Sequence, residues 1–93
     1  MEQLLKCTVE PGVFSSEWAV RLQSEGGPVS FFVDRSLVEA PQTPERGQPV
    51  EGHVRVTVLE HKPNLALIRL PAQSSSGTSS VWVPSSLLVA NGR

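Results

Sequence analysis

Apolar and polar residues alternate along most of this chain. Val54, Val56 and Val58 are separated by Arg55 and Thr57, and Leu5, Cys7 and Val9 by Lys6 and Thr8. A two-residue period marks a strand with one buried face, because successive side chains point to opposite sides of the pleat. The same reading predicts strands at 17–22, with Trp18, Val20 and Leu22 on one face, and at 65–70, with Ala66, Ile68 and Leu70 together. Arg21 and Arg69 then point to the other side. A third pair of strands sets Phe31 and Val33 against Phe32, and Val81 and Val83 against Trp82.

These strands form two matching sets. The segment FFVDRSLVEA (31–40) returns without a gap as VWVPSSLLVA (81–90), and Val33/Val83, Ser36/Ser86, Leu37/Leu87 and Ala40/Ala90 are identical pairs. Upstream, EWAVRL aligns with LALIRL, and Cys7-Thr8-Val9 with Val56-Thr57-Val58. The chain is therefore expected to be a single domain, 1–93, with repeat one over about 3–40, a linker over about 41–52 and repeat two over about 53–90. An open solenoid needs at least three repeats, so two copies must complete one another. The predicted fold is all-β: a small six-stranded barrel-like domain built from two similar three-stranded repeats with pseudo-two-fold symmetry, an arrangement that hides strand edges. A large Trp18 facing a small Ala66 is the kind of exchange a shared core requires. After the third strand of each copy the chain breaks at Asp34 or Pro84. Asp caps a helical turn and Pro suits its first position, so a single turn should seat Leu37 or Leu87 on the core.

Composition agrees with one shared core. A copy of about 45 residues lies near the limit below which a chain cannot bury enough surface to fold alone. The eight Pro and seven Gly concentrate between strands. Three prolines stiffen the linker, Gly26-Gly27 reads as a hairpin turn, and QSSSGTSS (73–80) as a flexible, solvated loop. The net charge of −1, with no basic run, argues against a large phosphate-neutralising surface. Neither a bilayer-spanning apolar stretch nor a signal-peptide pattern is visible, so the expectation is a cytoplasmic protein without membrane contact. Cys7 is the only cysteine and aligns with Val56, which assigns it to the core as a small hydrophobe.

Candidate chemistry is sparse. One Cys and two His, His53 and His61, are too few for a zinc site, and no cofactor is expected. The single Asp, Asp34, occupies the place that Pro84 fills in the other copy, which favours capping over membership of a catalytic triad. The protein is expected not to be an enzyme. A small hydrolase is the least favoured reading, since it would need His53 or His61 beside a Ser and a carboxylate. Binding is the remaining chemistry. Phe32 and Trp82 occupy equivalent positions on the face opposite the core, and exposed aromatics anchor partners. Arg21 and Arg69 could flank them from the neighbouring strand, whereas Arg35, Arg55 and Lys62 have no counterpart in the other copy and rank lower. The expected function is a non-catalytic protein-binding or scaffolding module, self-association included, as a monomer or weak homodimer. The alternative is a single-stranded nucleic-acid binder in which Phe32 and Trp82 stack bases while Arg21 and Arg69 meet phosphates.

The blocks 17–40 and 65–90 each resemble the back half of an SH3-like barrel: strand, tight hairpin, strand, one-turn helix, short last strand. VPSSLLV is similar to that family's Pro-Ser-Asn-Tyr-Val ending. The resemblance implies a small barrel. It does not imply polyproline recognition, because the Ala-Leu-Tyr-Asp-Tyr motif and acidic loop are missing. The chain has no Tyr, Glu17 and Leu65 stand where the ligand-contacting Trp would be, and Leu37 and Leu87 replace the groove Tyr. Of the groove residues, Pro84 alone is kept.

Overall fold

The alternating segments form the strands of a computed structural model that describes residues 2–72, 74 and 77–89. In chain order these are β1 (Glu2–Pro11), β2 (Glu17–Ser24), β3 (Gly27–Asp34), β4 (Val38–Glu39), β5 (Val50–His61), β6 (Leu65–Arg69), β7 (Ser80–Pro84) and β8 (Leu88–Val89). Two 3-10 turns, Arg35–Leu37 and Ser85–Leu87, precede β4 and β8. All pairings are antiparallel, and the sheet runs β3-β2-β1-β5-β6-β7. It curls into a half-barrel whose end strands are β3 and β7. No helix among the described residues is long and apolar enough to cross a membrane.

The order is the same from either end, and up to Val58 so is the register. Thr8 lies opposite Arg21 and Thr57 opposite Arg69; Ala19 opposite Phe32 and Leu67 opposite Trp82. The two short strands cross over: β4 of the first half pairs with β5, Val38 against Val54, while β8 of the second half pairs with β1, Leu88 against Leu5. In the long β1–β5 ladder Leu5 faces Val54, its own counterpart, so the pseudo-two-fold axis passes through that pair. Both are wholly buried.

The core follows the alternation. Leu5, Cys7, Val9, Val20, Leu22, Phe31, Val33, Val54, Val56, Val58, Ala66, Ile68 and Val83 fill the concave face in one cluster. Trp18, Leu37 and Leu87 are half-buried against it. The Asp34 carboxylate accepts a hydrogen bond from the Ser36 backbone N–H at 2.9 Å and so caps its turn as the sequence suggests. Pro84 stands immediately before its turn, not at the first position, and makes no side-chain cap.

Three details depart from the sequence reading. First, β5 begins at Val50, inside the segment assigned to the linker, because β1 continues to pair through Cys7–Gly52, Thr8–Glu51 and Val9–Val50. On its other side β5 meets β4, and that approach requires a glycine at 52, where a Cβ would lie 2.7 Å from the Glu39 carbonyl oxygen. Second, a bulge between Val58 and Glu60 shifts the β5–β6 register. Third, the serine tract is not uniformly solvated: Ser74 is buried, its N–H donates to the Thr78 carbonyl and its hydroxyl accepts from the Thr78 N–H. Gly77 and Ser79 are exposed, and the expectation at residues 73, 75 and 76 lies outside the described residues.

Candidate functional site

Directly opposed residues of an antiparallel pair share a face. Ala19, Arg21, Ser30 and Phe32 therefore lie together on the convex face of the β2–β3 hairpin, and Leu67, Arg69, Ser80 and Trp82 on that of β6–β7. Each predicted arginine thus shares a surface with its predicted aromatic. Along the sheet, however, β2, β1, β5 and β6 separate Phe32 from Trp82, so the four residues form two sets, one per half.

The two sets differ. The Lys62 ammonium sits 4.5 Å from the centre of the Trp82 ring, which is half-buried, whereas Phe32 is 51 % exposed. The cause lies in the preceding turn. Lys62 N–H donates to the Leu65 carbonyl and Gly12 N–H to the Glu17 carbonyl, the same bond in the two halves. Gly12 therefore occupies the place of Lys62 and offers no side chain to cover Phe32. A Cβ there would be 2.8 Å from the Glu17 carbonyl oxygen. The next two residues, Val13 and Phe14, are also bare, 75 % and 67 % exposed. Their loop is held at the end of β3, since Arg35 donates to the Ser16 carbonyl through its backbone N–H and to the Ser15 carbonyl through Nη1. Arg35 also stacks 4.8 Å over Trp18. Sequence reasoning ranked Lys62 and Arg35 low and passed over Val13 and Phe14. Two adjacent apolar residues in a turn after Pro-Gly were the available signal.

The end strands differ as well. The β7 edge receives the Glu25 N–H on the Trp82 carbonyl oxygen at 2.8 Å, which ties the β2–β3 hairpin tip to it. Among the described strands β3 pairs with β2 alone, leaving its outer edge free. A free edge presents unpaired backbone donors and acceptors and is a template for another strand.

Arg21 and Arg69 each also line a groove, and the grooves are two-fold mates. One is bounded by Lys6, Thr8, Arg21, Glu51 and Leu87, the other by Arg55, Thr57, Arg69, Glu2 and Leu37, position for position, so that Arg55, expected to lack a counterpart, matches Lys6. Both halves contribute to each groove, because the turn leucine arrives from the half opposite to the strand that carries the first cation. No carboxylate lies within ion-pair distance of Lys6, Arg21, Arg55 or Arg69 among the described residues. Arg55 Nε is buried without an acceptor.

Other chemistry-bearing groups have structural duties. Burial pushes the Cys7 thiol up to about 12. The Ser36 backbone N–H, bonded to Asp34, holds that carboxyl below its ordinary value. No group of three or more His, Cys, Asp or Glu gathers among the described residues. Compared with protein families, with curated proteins and with solved structures, the chain finds no match.

Proposed function

We propose that this chain is a non-catalytic protein-binding or scaffolding module whose contact surface is the first half's convex face: Phe32 on the free-edged strand β3, with Val13 and Phe14 in the loop at its end. The observation that carries this reading is the contrast between Phe32, 51 % exposed, and its counterpart Trp82 under Lys62. Bare apolar side chains on and near a strand with an unpaired edge favour an extended segment that adds to β3 and seats side chains on Phe32. Such a segment can belong to another protein or to a second copy, so the free chain is a monomer or weak homodimer. Each half is an SH3-like unit on this reading, with its ligand on an edge and not in a polyproline groove, and the compartment is the cytoplasm.

A photo-crosslinking residue placed at Phe32 in the native host tests it, with the exposed Arg46 as control position. A discrete adduct, with another protein or with the chain itself, formed at 32 and not at 46 supports the reading; equal labelling at both positions overturns it. Single-stranded nucleic acid is the second reading, supported by Arg21 beside Phe32 and by the four unpaired cations. It requires binding that weakens steeply with salt.

A further inference from the structure

Two cations line each of the twin grooves, and none of the four is held in an ion pair among the described residues. In the second groove, Arg55 and Arg69 approach from neighbouring strands with Thr57 between them, and the Arg55 Nε donor is buried with no acceptor. Like charges held side by side and a buried unpaired donor both oppose folding. An acidic ligand would relieve the first.

We propose that the Arg55–Arg69 groove, and more weakly its counterpart at Lys6–Arg21, binds a side-chain carboxylate from an acidic segment of a partner protein. A guanidinium presents a planar fork of donors that matches a carboxylate with two parallel hydrogen bonds. Arg55 offers the outer nitrogens of its guanidinium, its buried Nε holding the plane in place, while Arg69 supplies a second fork and Thr57 a hydroxyl. Two cations and Glu2 leave the groove one positive charge, which suits a monoanion better than a dianionic phosphate. A polyphosphate strand is disfavoured further, because the chain's net charge is −1 and Glu2 and Glu51 each sit in a groove. The groove with Lys6 binds less tightly, since an ammonium is a point charge without the fork. An acidic run that reaches both grooves gains from the high effective concentration of its second carboxylate. This site is separate from Phe32, Val13 and Phe14, so either can fail without the other.

The test follows the arginine Nε–Hε resonances of the labelled full chain in about 0.1 M salt, where the Debye length is ~10 Å. The probes are a hexaglutamate peptide, a hexaglutamine control, inorganic phosphate and a mixed single-stranded hexanucleotide. Arg55 and Arg69 should move together on one saturable curve with hexaglutamate, while exposed Arg46 stays still and hexaglutamine has no effect. Arg69→Gln should raise the Kd roughly tenfold, a loss of ~1.4 kcal/mol, and Arg21→Gln should raise it less. Because Arg55 is partly buried, the exposed Arg69 carries the mutational arm. The proposal is overturned if Arg55 and Arg69 do not move with hexaglutamate, or if Arg46 moves as much. Tighter saturation by phosphate or the oligonucleotide overturns it equally.

Discussion

At the scale of single residues, the structure gives reasons for side chains that the sequence could only place. Cys7 carries a thiol where its counterpart Val56 carries two methyls, and both are buried in the same cluster. Since the folded thiol titrates near 12 and an exposed one near 9, the unfolded chain loses its proton first as pH rises. The stabilising contribution of the protonated thiol is whole below the unfolded value and declines between the two. Cys7→Val should change stability by less than about 1.5 kcal/mol at neutral pH and flatten the alkaline decline. Cys7→Ser buries a hydroxyl and should cost roughly 1–3 kcal/mol. Urea unfolding at pH 7 and pH 10 reads both, and an unchanged alkaline slope in Cys7→Val would remove Cys7 as its source. Gly52 is a second case: the carbonyl of Glu39, a backbone atom, blocks a Cβ. Gly52→Ala should therefore destabilise by roughly 1–3 kcal/mol, and an unaltered midpoint would mean that β4 moves aside. Phe32, by contrast, was legible as an outward aromatic from alternation alone. That it is bare while Trp82 is covered was not legible, because Lys62 reaches Trp82 from a turn remote in sequence.

At the scale of elements, alternation located all six main strands because each is long enough to show a two-residue period. It could not assign partners to β4 and β8, which are two residues each and carry no period. Their exchange between halves is a tertiary fact: Val38 packs beside Val54 and Leu88 beside Leu5, so each short strand closes the flank of the other half's first strand. The start of β5 was misplaced for a related reason. Proline and glycine around residues 49 and 52 read as linker, yet a strand tolerates Gly where another backbone passes close. Val38 is buried, so Val38→Ala should cost about 2 kcal/mol through lost burial and a cavity. Leu88→Ala, half-buried at the equivalent place, should cost less. Denaturant midpoints of the two variants compare them; a larger loss at Leu88 would mean that the two exchanged strands are not equivalent in strength.

At the scale of the whole molecule, the pseudo-two-fold axis through Leu5 and Val54 determines what can fold alone. The long ladder of β1 with β5 joins the halves, and each half's last strand lies on its neighbour. A half-chain would thus lose both the partner of its first strand and the landing place of its last one, leaving Leu5, Cys7 and Val9 beside an open edge. Fewer than fifty residues cannot compensate for that loss with local contacts. It has one other recourse. Because Leu5 faces its own counterpart across the axis, β1 of one copy can occupy the place of β5 for another, restoring the ladder as an exact dimer with β4 exchanged between chains. Residues 1–49 should accordingly be unfolded when dilute and, on concentration, gain β structure together with a dimer's mass, in circular dichroism and light scattering on one sample. The dimer should be weaker than the intact domain, since Lys6 would then face Leu4 and Cys7 would face Gln3 across the central ladder, in place of His53 and Gly52. Cooperative folding as a monomer would show that each half carries its own core and that the exchanged strands are not needed. Mixing 1–49 with 50–93 should favour the heterodimer, because only that pairing sets Gly52 beneath Glu39 and restores both unequal grooves, Lys6 with Arg21 and Arg55 with Arg69.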